Sequence, residues 1–169
     1  MNKYQIHDIN HFGVLKVGFP LILIFAFLTR HWWLSGGVLM SRSPEVMGSF
    51  FDGSVTYYMV AEFPALLISL LAMKRKPEAG RIVRSVWKHG FWLLSLSALL
   101  NMAMIALLPA KMLPFPPKLS FDLSRLDGAQ WGAIAANIAV LAYFVLSART
   151  RDTFAEFPPP PAAPDASKT

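Results

Sequence analysis

The 169-residue sequence has no cysteine. That excludes disulfides, thiolate nucleophiles and thiolate metal sites, and says nothing of compartment. Charge is scarce too: 15% of residues are charged and 54% hydrophobic, whereas an average chain carries about 25% charged residues. A water-soluble fold of this length would need more polar surface. Lipid in place of water over most of the surface removes the shortfall. Also missing are a phosphate loop, a nucleophile elbow and a zinc-protease helix. Acidic residues number ten against sixteen Lys and Arg, for a formal charge of +6. The basic residues stand in short blocks beside apolar runs and are not interleaved with aromatics along a groove. They therefore read as topology signals rather than as a nucleic-acid surface.

What is present is a set of long apolar runs. Residues 53–73, 90–110 and 128–148 each approach the roughly 20 residues needed to cross a bilayer core of about 30 Å. A first span is expected over 12–34, although its apolar core, 17–29, is short. Lys16 and Arg30 flank that core and are expected to snorkel to the interfaces, with Trp32 and Trp33 in the interfacial belt. Pro20 should bend this helix or mark its regular start. No small-residue cleavage site follows it, so the span reads as retained. The expected fold is all-α: a polytopic membrane protein, a four-transmembrane-helix bundle with short interfacial helices. Residues 1–157 form one membrane domain, and 158–169 a disordered Pro- and Ala-rich tail.

Counting Lys and Arg by loop puts eleven on one side and five on the other. The positive-inside rule then places both termini in the cytoplasm. The block Lys74, Arg75, Lys76, Arg81, Arg84 and Lys88 is expected to meet anionic lipid headgroups or a protein partner. Arg149 and Arg151, beside Phe154 and Phe157, suit a short helix resting on the inner leaflet or anchoring a partner. On the other side, Ser43-Pro44-Glu45 resembles a helix start, with Val46, Met47, Phe50 and Phe51 as an apolar face. Pro114, Pro116 and Pro117 should stiffen the loop 109–127.

Four stretches carry a resemblance: LKVGFPLILIFAFLTRHWW at 15–33, SFFDG at 49–53, EFPALL at 62–67 and SARTRDTFAEFP at 147–158. Together they resemble DUF2919, a family of uncharacterised bacterial inner-membrane proteins, over about residues 10–158. The resemblance implies a multi-pass protein of the bacterial inner membrane. It implies no activity, and no functional residue carries over from it.

Three polar side chains lie deep in the expected spans. Glu62, Asn101 and Asn137 each stand about 16 Å from the same end of their helices, at 1.5 Å per residue. Equal depth suggests one shared polar layer. An ionised Glu there is costly, so the neutral acid is favoured, with the Asn amides satisfying it. Pro64 cannot donate to the Val60 carbonyl, which frees an acceptor one turn from Glu62. Such a layer either glues the bundle in register or handles a proton or cation. Gly128, Gly132 and Ala136 form a small-residue stripe for close helix packing, within the bundle or at a seam with a second copy or a partner subunit. His7 and His11 have metal-compatible spacing but no third ligand, so no metal or cofactor is expected. The favoured function is a non-catalytic accessory or scaffold component. The alternatives are a small proton- or cation-coupled transporter or channel component using Glu62, and a membrane-embedded lipid-modifying enzyme.

Overall fold

The computed structural model describes residues 4–5, 8–41, 54–107, 124 and 126–159. Seven α-helices and no strand run through them: α1 Phe19–Leu28, α2 Arg30–Ser41, α3 Ser54–Met73, α4 Arg81–Lys88, α5 Gly90–Leu107, α6 Gly128–Leu146 and α7 Ala148–Ala155. The expected features of the loops at 42–50 and 108–123 and of the tail beyond residue 159 fall outside the described residues.

Three stretches are long and apolar enough to cross a membrane: Val55–Met73, Gly90–Leu107 and Gly128–Leu146. The expected continuous first span is corrected. Pro20 sits in the first turn of α1, and the helix stops after ten residues at Thr29. There α2 departs at 63°, so Phe19–Leu28 with Arg30–Met40 is a broken span or a re-entrant segment. The count is three spans, or four with the bent pair. Thr29 makes the break locally. Its backbone leaves helical geometry at φ −119°, and its hydroxyl donates to the Phe25 carbonyl at 2.7 Å, which also accepts the Thr29 backbone N–H at 3.0 Å.

The helix α3 packs chiefly on α5, and α5 on α6, with the bent pair against α3. The core between them holds Leu28, Ala65, Ile68, Leu94, Ala98 and Phe144, all sealed from solvent. Outward, Leu70, Trp92, Leu99, Ile138 and Val145 are exposed. An apolar exterior around an apolar interior is the pattern of a bundle solvated by lipid. Pro64 stands inside α3. On either side of the carbonyl it frees, Trp32 Nε1 donates to Met59 O at 3.0 Å and Ser97 Oγ to Ala61 O at 2.9 Å.

At the Met73 end the chain closes on itself. Arg75 was expected at lipid headgroups; it is instead 6% exposed and turned inward. Its guanidinium donates to the carbonyls of Leu15, Thr153 and Glu156 and lies 4.9 Å over the Trp87 ring. Three carbonyls and an aromatic face suit a planar cation better than a headgroup phosphate it would have to share. Glu156 accepts from the Leu15 amide at 2.7 Å, and Trp87 Nε1 donates to Thr153 O at 3.1 Å. A turn at 10–14, with Gly13 at φ +76°, returns the N-terminal segment to this clasp. The helix α7 does not lie on the leaflet by Phe154: that ring is buried on Trp87, centroids 4.9 Å apart, and leaves no room for a Cβ on Gly90. Arg84 is likewise consumed, donating to Pro77, Ala79 and Pro158 carbonyls.

Candidate functional site

The break at Thr29 faces the middle of α3. Glu62 is completely buried. Its Oε2 accepts from the backbone N–H of His31 at 3.0 Å, and its Oε1 meets His31 Nδ1 at 2.6 Å. Arg30 stands 3.6 Å from Oε1. Restarting a helix inside the bundle leaves first-turn N–H groups without partners, and a carboxylate is the side chain that best satisfies them. Glu62 is thus a cap donated to α2 from a neighbouring helix. Arg30 supplies the counter-charge that the sequence reading lacked, so a neutral acid is not required for burial.

The cluster extends through Arg30. Its other terminal nitrogen donates to Asn101 Oδ1 at 3.2 Å, while Asn101 Nδ2 donates to Ser97 O. Its guanidinium also lies 4.7 Å over the Phe27 ring and donates to Phe27 O. Glu62 and Asn101 are therefore joined, through a residue that the sequence reading had placed at an interface. Asn137 is fully buried but apart from this network. Its Nδ2 donates to Ala133 O at 2.8 Å, and its Oδ1 has no partner among the described residues.

Beside the cluster is an open cavity of about 250 Å³. Its lining combines the polar Arg30, His31, Tyr58 and Gln130 with the apolar Ile105, Ala129 and Ala133, and Asp127 at the start of α6. Tyr58 stacks on His31, with 5.0 Å between centroids and 11° between planes. Asp127 and Gln130 form a capping box: the Asp127 carboxylate accepts from Gln130 N at 2.7 Å and Gln130 Oε1 from Asp127 N at 3.0 Å. The cavity thus has a rigid rim. On the Met73 side of Glu62 the packing is apolar, with Leu28, Ala65, Ile68, Leu94 and Ala98 sealed. The site is open toward the α6 N-terminus and closed toward the clasp.

The remaining sequence candidates lie elsewhere. Gly128 and Gly132 face away from the packed helices, with nothing among the described residues within 4 Å of an added Cβ, so the reading that they pack inside the bundle is corrected. Ala136 is half-buried. Lys74, Lys76, Arg81, Lys88 and Arg151 are exposed. Arg149, 38% exposed, is paired with Asp8 at 2.8 Å. No group of three or more metal-competent side chains occurs among the described residues.

A family of proteins of unknown function, DUF2919, matches residues 4–156. The chain belongs to that family. No curated protein and no solved structure matches it. The matched range takes in the bent pair, the Glu62 cluster and nearly all of the Arg75 clasp, so both polar assemblies of this DUF2919 chain lie within the family's extent.

Arg30, His31, Tyr58, Ser97 and Gln130 were missed as site residues. One signal was available: the apolar run before Arg30 is too short to cross a bilayer. A short run ended by Thr-Arg-His, with two tryptophans following, is what a half-span turning inside the membrane requires. Tyr58 and Gln130 gave no such signal, because only packing brings their helices to the break.

Proposed function

We propose that this protein is a component of a proton-linked transport step in the bacterial cytoplasmic membrane, with Glu62, His31 and Arg30 as its working site. The bent pair counts as a broken fourth span, which leaves both termini in the cytoplasm, in line with the Lys and Arg bias. The observation that carries the reading is a fully buried, ion-paired carboxylate at a helix break, adjoining a cavity open to one face. Ionisable groups at such depth are expensive, and discontinuous helices near the midplane are a recurring way to build sites for ions and solutes. The sealed packing below Glu62 supports an outward-open reading of this conformation. The exposed Lys74, Lys76, Arg81, Lys88 and Arg151 remain free to meet anionic headgroups at the inner leaflet.

The test is reconstitution of the full chain in proteoliposomes with an internal pH dye, offered small acids, amines and inorganic ions one at a time. At least one should drive proton movement in the wild type and none in Glu62→Gln. Equal signals in the two proteins, or none for any solute, would sink the transport reading.

A second reading, an accessory subunit, draws on the outward-facing Gly128 and Gly132. It expects a stoichiometric membrane partner on purification in mild detergent, lost in Gly132→Leu.

A further inference from the structure

We infer that the cavity beside Glu62 binds a short-chain carboxylate anion and takes up one proton on His31 as it does so. The inference rests on the proposed transport site and names its ligand.

Size comes first. A cavity of about 250 Å³ has room for about eight water-sized groups, at roughly 30 Å³ each. That admits a carboxylate with a tail of about three to six carbons. The lining offers both parts of such a molecule a partner: Arg30, His31, Tyr58 and Gln130 are polar, and Ile105, Ala129 and Ala133 apolar. A guanidinium, a phenol and an imidazole suit a carboxylate, and the alanines and isoleucine suit a short chain.

Charge selects the sign. The groups facing the imidazole are Arg30 on its own helix, Tyr58 and Glu62 from α3, and Asp127 at the start of α6; α5 contributes the uncharged Asn101 to Arg30. The Glu62 carboxylate is occupied by His31 and Arg30, and Asp127 Oδ1 accepts from Gln130 N in the first turn of α6. Glu62 is thus not free to receive a cation, and Arg30, 23% exposed, opposes one from within the lining, where Asp127 is the one acid.

The proton follows from the imidazole's geometry. With Nδ1 given to Glu62, the ring's other polar atom is Nε2, which has no hydrogen-bond partner among the described residues. In the neutral ring that atom is an acceptor and repels a carboxylate oxygen. Protonated, it is a donor carrying charge. An anion added to the balanced Arg30–Glu62 pair leaves one uncompensated charge in a low-dielectric site, and one proton on His31 removes it. Anion and proton therefore enter together.

The experiment is calorimetric titration of the purified full chain in mild detergent with acetate, butyrate and hexanoate, and with butylamine and inorganic phosphate as probes of other chemistry. Butyrate or hexanoate should bind best. Its affinity should rise as pH is lowered, with net proton uptake on binding seen across buffers of different ionisation enthalpy. His31→Asn keeps an N–H toward Glu62 and removes Nε2. It should bind at least tenfold more weakly, with the pH dependence gone. Ala133→Leu fills the cavity without touching the ion pair and should abolish binding while the protein stays monodisperse and helical. Heat from butylamine or phosphate but not from carboxylates, or carboxylate binding unchanged in Ala133→Leu, would overturn the inference. Proton movement driven by an amine would overturn this ligand and leave the transport reading standing. Carboxylate binding with no proton movement for any solute would do the reverse.

Discussion

Glu62 does two jobs with one carboxylate: it caps α2 and it balances Arg30. The two are separable by substitution. Glu62→Gln keeps an oxygen for the His31 N–H and loses the charge, at an expected cost of about 1–3 kcal/mol. Glu62→Ala leaves both the N–H and Arg30 without their acceptor, at about 3–5 kcal/mol. Unfolding curves in mild detergent followed by helical circular dichroism rank the two variants. Equal losses would mean that the cap contributes nothing beyond the charge. The three polar residues in the spans were legible as a set because depth follows from counting along a helix. Their pairing was not, because facing depends on rotation about each helix axis. That rotation sends Asn101 to Arg30 and leaves Asn137 Oδ1 without a partner among the described residues.

The glycines show how helices in this chain sort into packed and lipid-facing sides. At Gly90, where α5 begins, the Phe154 ring occupies the space of a side chain. At Gly132 on α6 nothing among the described residues lies within 4 Å of an added Cβ. Gly90→Ala forces a buried ring out of place and should cost about 1–3 kcal/mol. Gly132→Ala should be neutral or gain up to about 1 kcal/mol from helix propensity alone. The same unfolding assay reads both, and a loss at Gly132 equal to that at Gly90 would place a contact on the open face of α6. Sequence patterning located α3, α5 and α6 to within a few residues, because unbroken apolar runs of bilayer length leave few other assignments. It misjudged the first span. The energetic cost of Arg30 was assigned to snorkelling, whereas a partner on another helix offsets it.

Arg75 ties the whole molecule together at the Met73 end. It joins the N-terminal segment to α7 across the bundle, and α7 in turn holds Gly90 and Trp87. Burial pushes its guanidinium down to about 10, so it stays charged at neutral pH. The sign follows from linkage. The unfolded chain holds this proton more tightly, so the burial cost is present in full below about pH 10 and is relieved only as pH climbs toward the ordinary range of a guanidinium. Between pH 6 and about 9 the clasp should be insensitive to pH. Arg75→Ala strips three carbonyls of their donor, and a loss of about 2–4 kcal/mol is expected. Amide exchange should rise together over 8–16 and 148–156 while α3 and α6 stay protected. Exchange rising only at the N-terminal segment would show that α7 is held by Phe154 without Arg75.

Composition and the length of the apolar runs determined without further help that the chain is helical, with spans long and apolar enough to cross a membrane. Those properties are set by solvent, and a bilayer reads hydropathy along the chain one segment at a time. Only the tertiary structure decided where the cations go. Arg30 and Arg75 look alike in sequence, each a basic residue at the end of an apolar run. One neutralises a buried acid at a helix break, and the other clasps three carbonyls at the base of the bundle. A charge near a membrane edge can be stabilised by water, lipid or protein, and the choice among them depends on which acceptors the fold brings within about 3 Å.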